Sequence, residues 1–186
     1  MPSNIASALV FIVNALTSLY LLVLLLRFWL PWLRADFRNP LAQGILKLTS
    51  PIIIPLRRIV PSFGRLDTAT VMVAFVVQYL GILLILLIFG TSATFSVIAT
   101  TAIVKLVLLS VNLFMFAIFV RIILSWISPG QYNPATAIIS TLTEPLLRPV
   151  RRLIPALGGF DISPIFVIIA LGALSRVLMG FNLLGI

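Results

Sequence analysis

Two arginine pairs, Arg57-Arg58 and Arg151-Arg152, are the residues best suited to chemistry in this chain. A guanidinium is a permanently charged planar fork that matches phosphate oxygens, so a repeated pair invites an anionic ligand. The plainer reading weighs more: arginines beside apolar spans orient those spans and attract acidic headgroups, at about 1 kcal/mol per basic residue near the surface. A shaped phosphate site stays open because both pairs sit in the same proline frame, and orientation alone needs no fixed spacing.

Little else suggests catalysis. The acids are Asp36, Asp67, Glu144 and Asp161, and the chain has no histidine and no cysteine. That removes thiol chemistry, disulfides and the commonest metal ligands, and no glycine-rich phosphate loop is present. No catalytic residue, metal or cofactor is expected. Arg27 and Arg121 fall just inside the aromatic ends of apolar stretches. They either snorkel to the interface or pair with Asp67 and Asp161 as a structural clasp. Lys105 and Arg176 are expected to snorkel toward the opposite side, and Asn14, Gln78 and Asn112 to bond between helices.

The elements that position these residues follow from composition. Of 186 residues, 61% are hydrophobic and 9% charged, against about 25% charged in ordinary soluble domains. So much apolar surface calls for a bilayer as solvent. The net charge of +9 comes from arginines gathered beside apolar spans, so lipid headgroups rather than nucleic acid are the expected partner. The N-terminus lacks a basic n-region, and the first span is expected to be retained.

The chain repeats itself. Leu48 to Asp67 recurs as Leu142 to Asp161, pairing Pro51 with Pro145, Pro55 with Pro149, Arg57 with Arg151 and Asp67 with Asp161. The register extends upstream through Asn39-Pro40 and Asn133-Pro134, Trp32 and Trp126, Arg27 and Arg121. The expected architecture is an all-α integral membrane protein with four transmembrane helices in two parallel repeats, 1–92 and 93–186. Each repeat is a helix, an interfacial amphipathic segment and a helix. Spans are placed at about 5–27, 70–89, 98–127 and 162–184, and interfacial segments at 39–67 and 133–161. Lys and Arg concentrate in the two interfacial segments, which puts both in the cytoplasm and both termini outside.

Each interfacial segment has one plan. Asn39 or Asn133 caps a helix that begins at Pro40 or Pro134. Leu41, Ile45 and Leu48 share its apolar face, and Pro51 or Pro145 stops it after about ten residues. Pro55 or Pro149 starts a second turn bearing the arginines, ended by Pro61 or Pro155. Gly64 or Gly158 reverses the chain, and Asp67 or Asp161 caps the next span.

The doubled pattern R-x-x-x-x-W, N-P and P-x-x-x-P-[LV]-R-R-x-[VI]-P-x-x-G-x-x-D resembles the YggT family of small integral membrane proteins, related to YlmG proteins. It runs from Arg27, Trp32 and Asn39-Pro40 through Pro51 to Asp67, and again from Arg121, Trp126 and Asn133-Pro134 through Pro145 to Asp161. The resemblance implies a bacterial inner-membrane or plastid location. It also implies associations with cell division, nucleoid or envelope organisation, plastid cytochrome assembly and osmotic tolerance, with no catalytic residue to carry over.

These readings combine into an expected non-enzymatic inner-membrane scaffold or assembly factor. Its cytoplasmic elbows would engage anionic phospholipid headgroups or other membrane proteins, and a homo-oligomer is compatible. The alternative is a small transporter or channel component serving osmotic or ion balance.

Overall fold

The computed structural model describes residues 4–62, 64, 66–127, 133–154 and 161–185. These form six helices: α1 (Asn4–Trp32), α2 (Pro40–Arg57), α3 (Thr68–Phe89), α4 (Phe95–Ile127), α5 (Pro134–Leu153) and α6 (Ser163–Met179). The fold is all-helical among the described residues. Helices α1, α3 and α4 are long and apolar enough to cross a membrane. They are apolar around their whole circumference, and side chains such as Phe11, Leu19, Leu87 and Phe116 face outward. That surface suits hydrocarbon rather than water. Helix α6 ends at Met179, short of the expected Leu184. Its 17 residues reach about 25 Å, the lower edge of a span.

The second triplet of helices repeats the first. Helix α1 corresponds to α4, α2 to α5 and α3 to α6. Within each triplet the outer two helices pack on each other, and the amphipathic helix packs across both. Leu24, Ile53 and Val73 meet in one core cluster, and Ile118, Leu147 and Val167, their equivalents in register, meet in another. Helices α1 and α3 approach closely at Gly81, where an added Cβ would lie 3.0 Å from Thr17 Cγ2. The equivalent position in α6 is Ser175, also small and buried. A small residue here lets two backbones come together.

The repeats join through α3 against α4 and through a cluster of Leu30, Ala42, Ala117, Ile138 and Leu142. Trp29 stacks edge-on against Phe114 at 5.0 Å, and Asn39 Nδ2 donates to the Pro134 carbonyl at 2.7 Å. An N-cap of one amphipathic helix therefore also ties down the start of the other.

The prolines do not stop the amphipathic helices. Pro51 and Pro55 lie inside α2 and Pro145 and Pro149 inside α5, so no second turn begins at Pro55 or Pro149. The helices have 18 and 20 residues rather than ten. Each interior proline costs about 3 kcal/mol. Its φ still fits a helix, and two prolines four residues apart lose their bonds along one strip, leaving the rest of the ladder whole. The fully buried Ile53 and Leu147, just beyond the first proline of each pair, reward continuation. Pro155, Gly158 and Arg65 lie outside the described residues.

Candidate functional site

Asn39 caps α2 by accepting from Leu41 N–H, with Pro40 at the first helical position. Asn133 caps α5 through Thr136 N–H, whose hydroxyl accepts from Asn133 N–H in return. Thus held, α2 and α5 bring their arginines back to the ends of the long helices.

In the first repeat the result is a buried charge cluster. Arg27 is 4% exposed, and its Nη1 donates to Thr49 Oγ1 at 2.7 Å, Ser50 Oγ at 3.2 Å and the Leu46 carbonyl at 3.3 Å. Its Nε lies 3.6 Å from Asp67 Oδ2, an ion pair without a hydrogen bond. Asp67 also receives Arg57 through Nε at 3.2 Å and through Nη2, and Thr70 through its hydroxyl at 2.7 Å. One carboxylate therefore ties α1, α2 and the start of α3 together. Burial alone would raise the Asp67 carboxyl. Hydrogen bonds from Arg57 and Thr70 and the charge of Arg57 outweigh it, holding the group below the usual carboxylate value. The same bond to Asp67 raises Arg57.

The second repeat has the same arginines and a different wiring. Arg121 Nη1 donates to Thr143 Oγ1 at 2.7 Å, but its Nη2 donates to Glu144 Oε2 at 2.9 Å. The expected clasp between Arg121 and Asp161 is not the one formed. Arg151 holds Asp161 through Nε at 2.7 Å and Glu144 through Nη1 at 3.1 Å. Asp161 accepts from Ser163 N–H at 3.0 Å, at the start of α6. The physical reason is the residue after the threonine: Ser50 in one repeat, Glu144 in the other. A carboxylate there lies nearer to Arg121 than Asp161 does and captures it. Against burial, which raises both groups, the arginines lower Glu144, and Ser163 together with Arg151 lowers Asp161.

This wiring divides the arginine pairs. Arg57 and Arg151 are ion-paired structural members. Arg58 and Arg152 are exposed, with no ion pair among the described residues, and so is Arg148. Of the four candidates for a ligand, the second of each pair is the one available. Beside them Leu48, Ile52, Ile59 and Leu153 are exposed too, giving a surface that is apolar and cationic at once. Arg176 falls in the last turn of α6, where a cation meets the negative end of the helix dipole.

An apolar groove of about 700 Å³ lies between α1, α3 and α4, with Leu24, Phe28, Val71, Phe75 and Leu106 among its walls and Val60 and Leu66 at the elbow. It can take hydrocarbon, not an ion. Among the described residues no three His, Cys, Asp or Glu side chains gather as a metal site.

Sequence reasoning passed over Thr49 and Thr143. Both are fully buried and both pass their own hydroxyl proton to the carbonyl one turn back, Ile45 or Ile139, at 2.7 Å. Each therefore presents a lone pair to the arginine. Their recurrence in register was the available signal. Glu144 carried the opposite signal, an acid where the other repeat has serine.

The CCB3/YggT family model matches the chain twice, over residues 6–88 and 100–182. An uncharacterised protein of Pseudomonas aeruginosa is 42% identical over 179 residues, covering 89% of this chain and 85% of the relative. The uncharacterised YggT protein of Escherichia coli K12 is 37% identical over 166 residues, covering 89% and 86%. A shorter match, 38% over 65 residues, covers 33% of this chain and 24% of the chloroplastic YlmG homolog protein 2 of Arabidopsis thaliana. No solved structure matches.

Proposed function

This chain belongs to the CCB3/YggT family, and we propose that it is a non-enzymatic inner-membrane scaffold or assembly factor whose elbows grip an anionic membrane surface. In this reading α6 spans as well, at the short end of the range, and makes four spans in two parallel repeats. The basic elbows face the cytoplasm and both termini face outside. The bilayer and its anionic headgroups are then the first partner, and other membrane proteins or a second copy are held at the same face. Roles in cell division or envelope organisation would follow from what is held there.

One observation carries the reading. Arg57 and Arg151 anchor α2 and α5 to the long helices, while Arg58 and Arg152 remain exposed beside exposed isoleucines and leucines. A rigidly held amphipathic helix with apolar and cationic residues on one surface suits the headgroup plane.

The test is the Arg58→Gln, Arg152→Gln pair in nanodiscs that mix phosphatidylcholine and phosphatidylglycerol. At about 1 kcal/mol per charge, enrichment of phosphatidylglycerol around the protein should fall about fivefold for each arginine lost. Unchanged enrichment and unchanged in-cell crosslinks would sink the reading.

A transporter or channel component has one observation in its favour: the Tyr20 and Thr101 hydroxyls are buried without a hydrogen-bond partner among the described residues. They stand singly on α1 and α4, and two hydroxyls among apolar neighbours do not make a continuous polar lining. Selective ion flux from purified protein in liposomes would reverse this choice.

A further inference from the structure

We infer that the chain carries a phosphate-group site where its two repeats meet, at the end of α1 against α5: Arg34 and Arg148 line one cleft, and Arg152 lines the cleft that adjoins it. The inference narrows the surface reading above and rests on the same face, but assigns it a discrete pocket.

A cleft of about 520 Å³ is lined by Leu33, Arg34, Ser140, Thr141, Glu144, Pro145 and Arg148. A second of about 490 Å³ shares Pro145 and Arg148 with it and adds Arg152. Such volumes suit a phosphate with its substituent. Arg148 and Arg152, four residues apart on α5, share a helix face. All three arginines are exposed, and none has an ion pair among the described residues. The one acid in the wall, Glu144, is already shared by Arg121 and Arg151, so Arg34 and Arg148 face the larger cleft against a neutralised carboxylate, and Arg152 extends the charge into the cleft beside it. That excess, with the Ser140 hydroxyl beside it, matches a doubly charged phosphate monoester better than a singly charged diester.

Two features separate this cleft from a chance basic patch. First, it breaks the repeat. The positions equivalent to Arg148 and Ser140 are Ile54 and Leu46, so the first repeat has no such cleft chemistry. Second, Arg34 occupies a backbone position that favours glycine. Arg34 N–H bonds to Pro31 and Ala35 N–H to Leu30, the same closing pattern that ends α3, where Gly90 N–H bonds to Leu87 and Thr91 N–H to Leu86. Gly90 has φ +65° and Arg34 φ +57°, the one positive φ outside glycine among the described residues. This left-handed cap costs glycine nothing and strains any residue with a Cβ. The strain brings no packing return, since Arg34 is exposed; its return is a guanidinium in the cleft.

The strain also supplies a clean variant, because Arg34→Gly removes the charge and suits the turn. Full-length protein would be placed in phosphatidylcholine nanodiscs, with and without phosphatidic acid, and titrated with inorganic phosphate. Arg34→Gly and Arg148→Gln should each weaken binding about tenfold, Lys47→Gln, at an exposed cation of α2 that lines neither cleft, should leave it unchanged, and Arg34→Gly should unfold no earlier than the parent. Losses confined to phosphatidic acid identify a lipid headgroup as the source; losses that extend to inorganic phosphate identify a soluble one. Parent-like binding by Arg34→Gly and Arg148→Gln overturns the site and leaves the surface reading standing. Equal losses for Lys47→Gln and Arg34→Gly overturn it as well, in favour of a diffuse basic face. A parent protein that binds neither probe overturns the site outright.

Discussion

The two repeats use the same arginine in two different ways. Arg27 is almost completely enclosed, with Asp67 as its one counter-charge among the described residues and Thr49, Ser50 and a carbonyl as its acceptors. Arg121 is 24% exposed, and its partner Glu144 is 44% exposed. One substitution in register, glutamate in place of serine, turns a dry three-element clasp into a wetter chain running Arg121, Glu144, Arg151, Asp161. The lesson is about stakes rather than strength. A buried ion pair contributes little net stability because desolvation offsets attraction, yet breaking it strands a charge. A half-exposed pair is worth little and loses little.

The largest expected effect follows directly. Asp67→Asn strands Arg27 and should cost about 3–5 kcal/mol, read as loss of helical signal on titration with a denaturing detergent. Asp161→Asn should cost about 1 kcal/mol or less. Equal losses would break the comparison. Next come the buried threonines. Thr49→Val removes a charge-assisted hydrogen bond and should cost about 1.5–3 kcal/mol, while Thr143→Val costs less because Glu144 still holds Arg121; the same titration decides it.

The smallest effect is that of pH. Asp67, Glu144 and Asp161 are all lowered in the folded chain. Their stabilisation is therefore full above the unfolded values, about 3.9 for Asp and 4.3 for Glu, and is lost as pH falls through the folded ones. Stability should be level from pH 7 to 5 and decline below about pH 4. Asp67→Asn should flatten that decline more than Asp161→Asn does, and the reverse order would place the critical carboxylate in the other repeat.

Much of this was legible in the residues. The 94-residue register in Pro51 and Pro145, Arg57 and Arg151 reappears in the two core triads centred on Ile53 and Leu147. The caps at Asn39 and Asn133 are local chemistry and fall where asparagine and proline meet. The expected stops at Pro51 and Pro145 were not there, because local propensity reckons the lost bond and not the buried isoleucine or leucine beyond it. The clasp partners were half legible. Asp67 could be named from its position, but Arg121 had two acids in reach, and one-dimensional spacing does not rank distances.

From the sequence alone follow the all-helical class, the doubling, the apolar spans and the arginine-rich elbows, because periodicity, composition and short-range capping depend on neighbours along the chain. Tertiary structure alone decides which arginine is enclosed and which is left exposed. It also decides that Arg57 and Arg151 hold the fold while Arg58 and Arg152 face outward, and that Arg34 meets Arg148 at one cleft. Burial and ion pairing are set by residues far apart in sequence, and a single methylene-carboxylate at Glu144 is enough to redirect them.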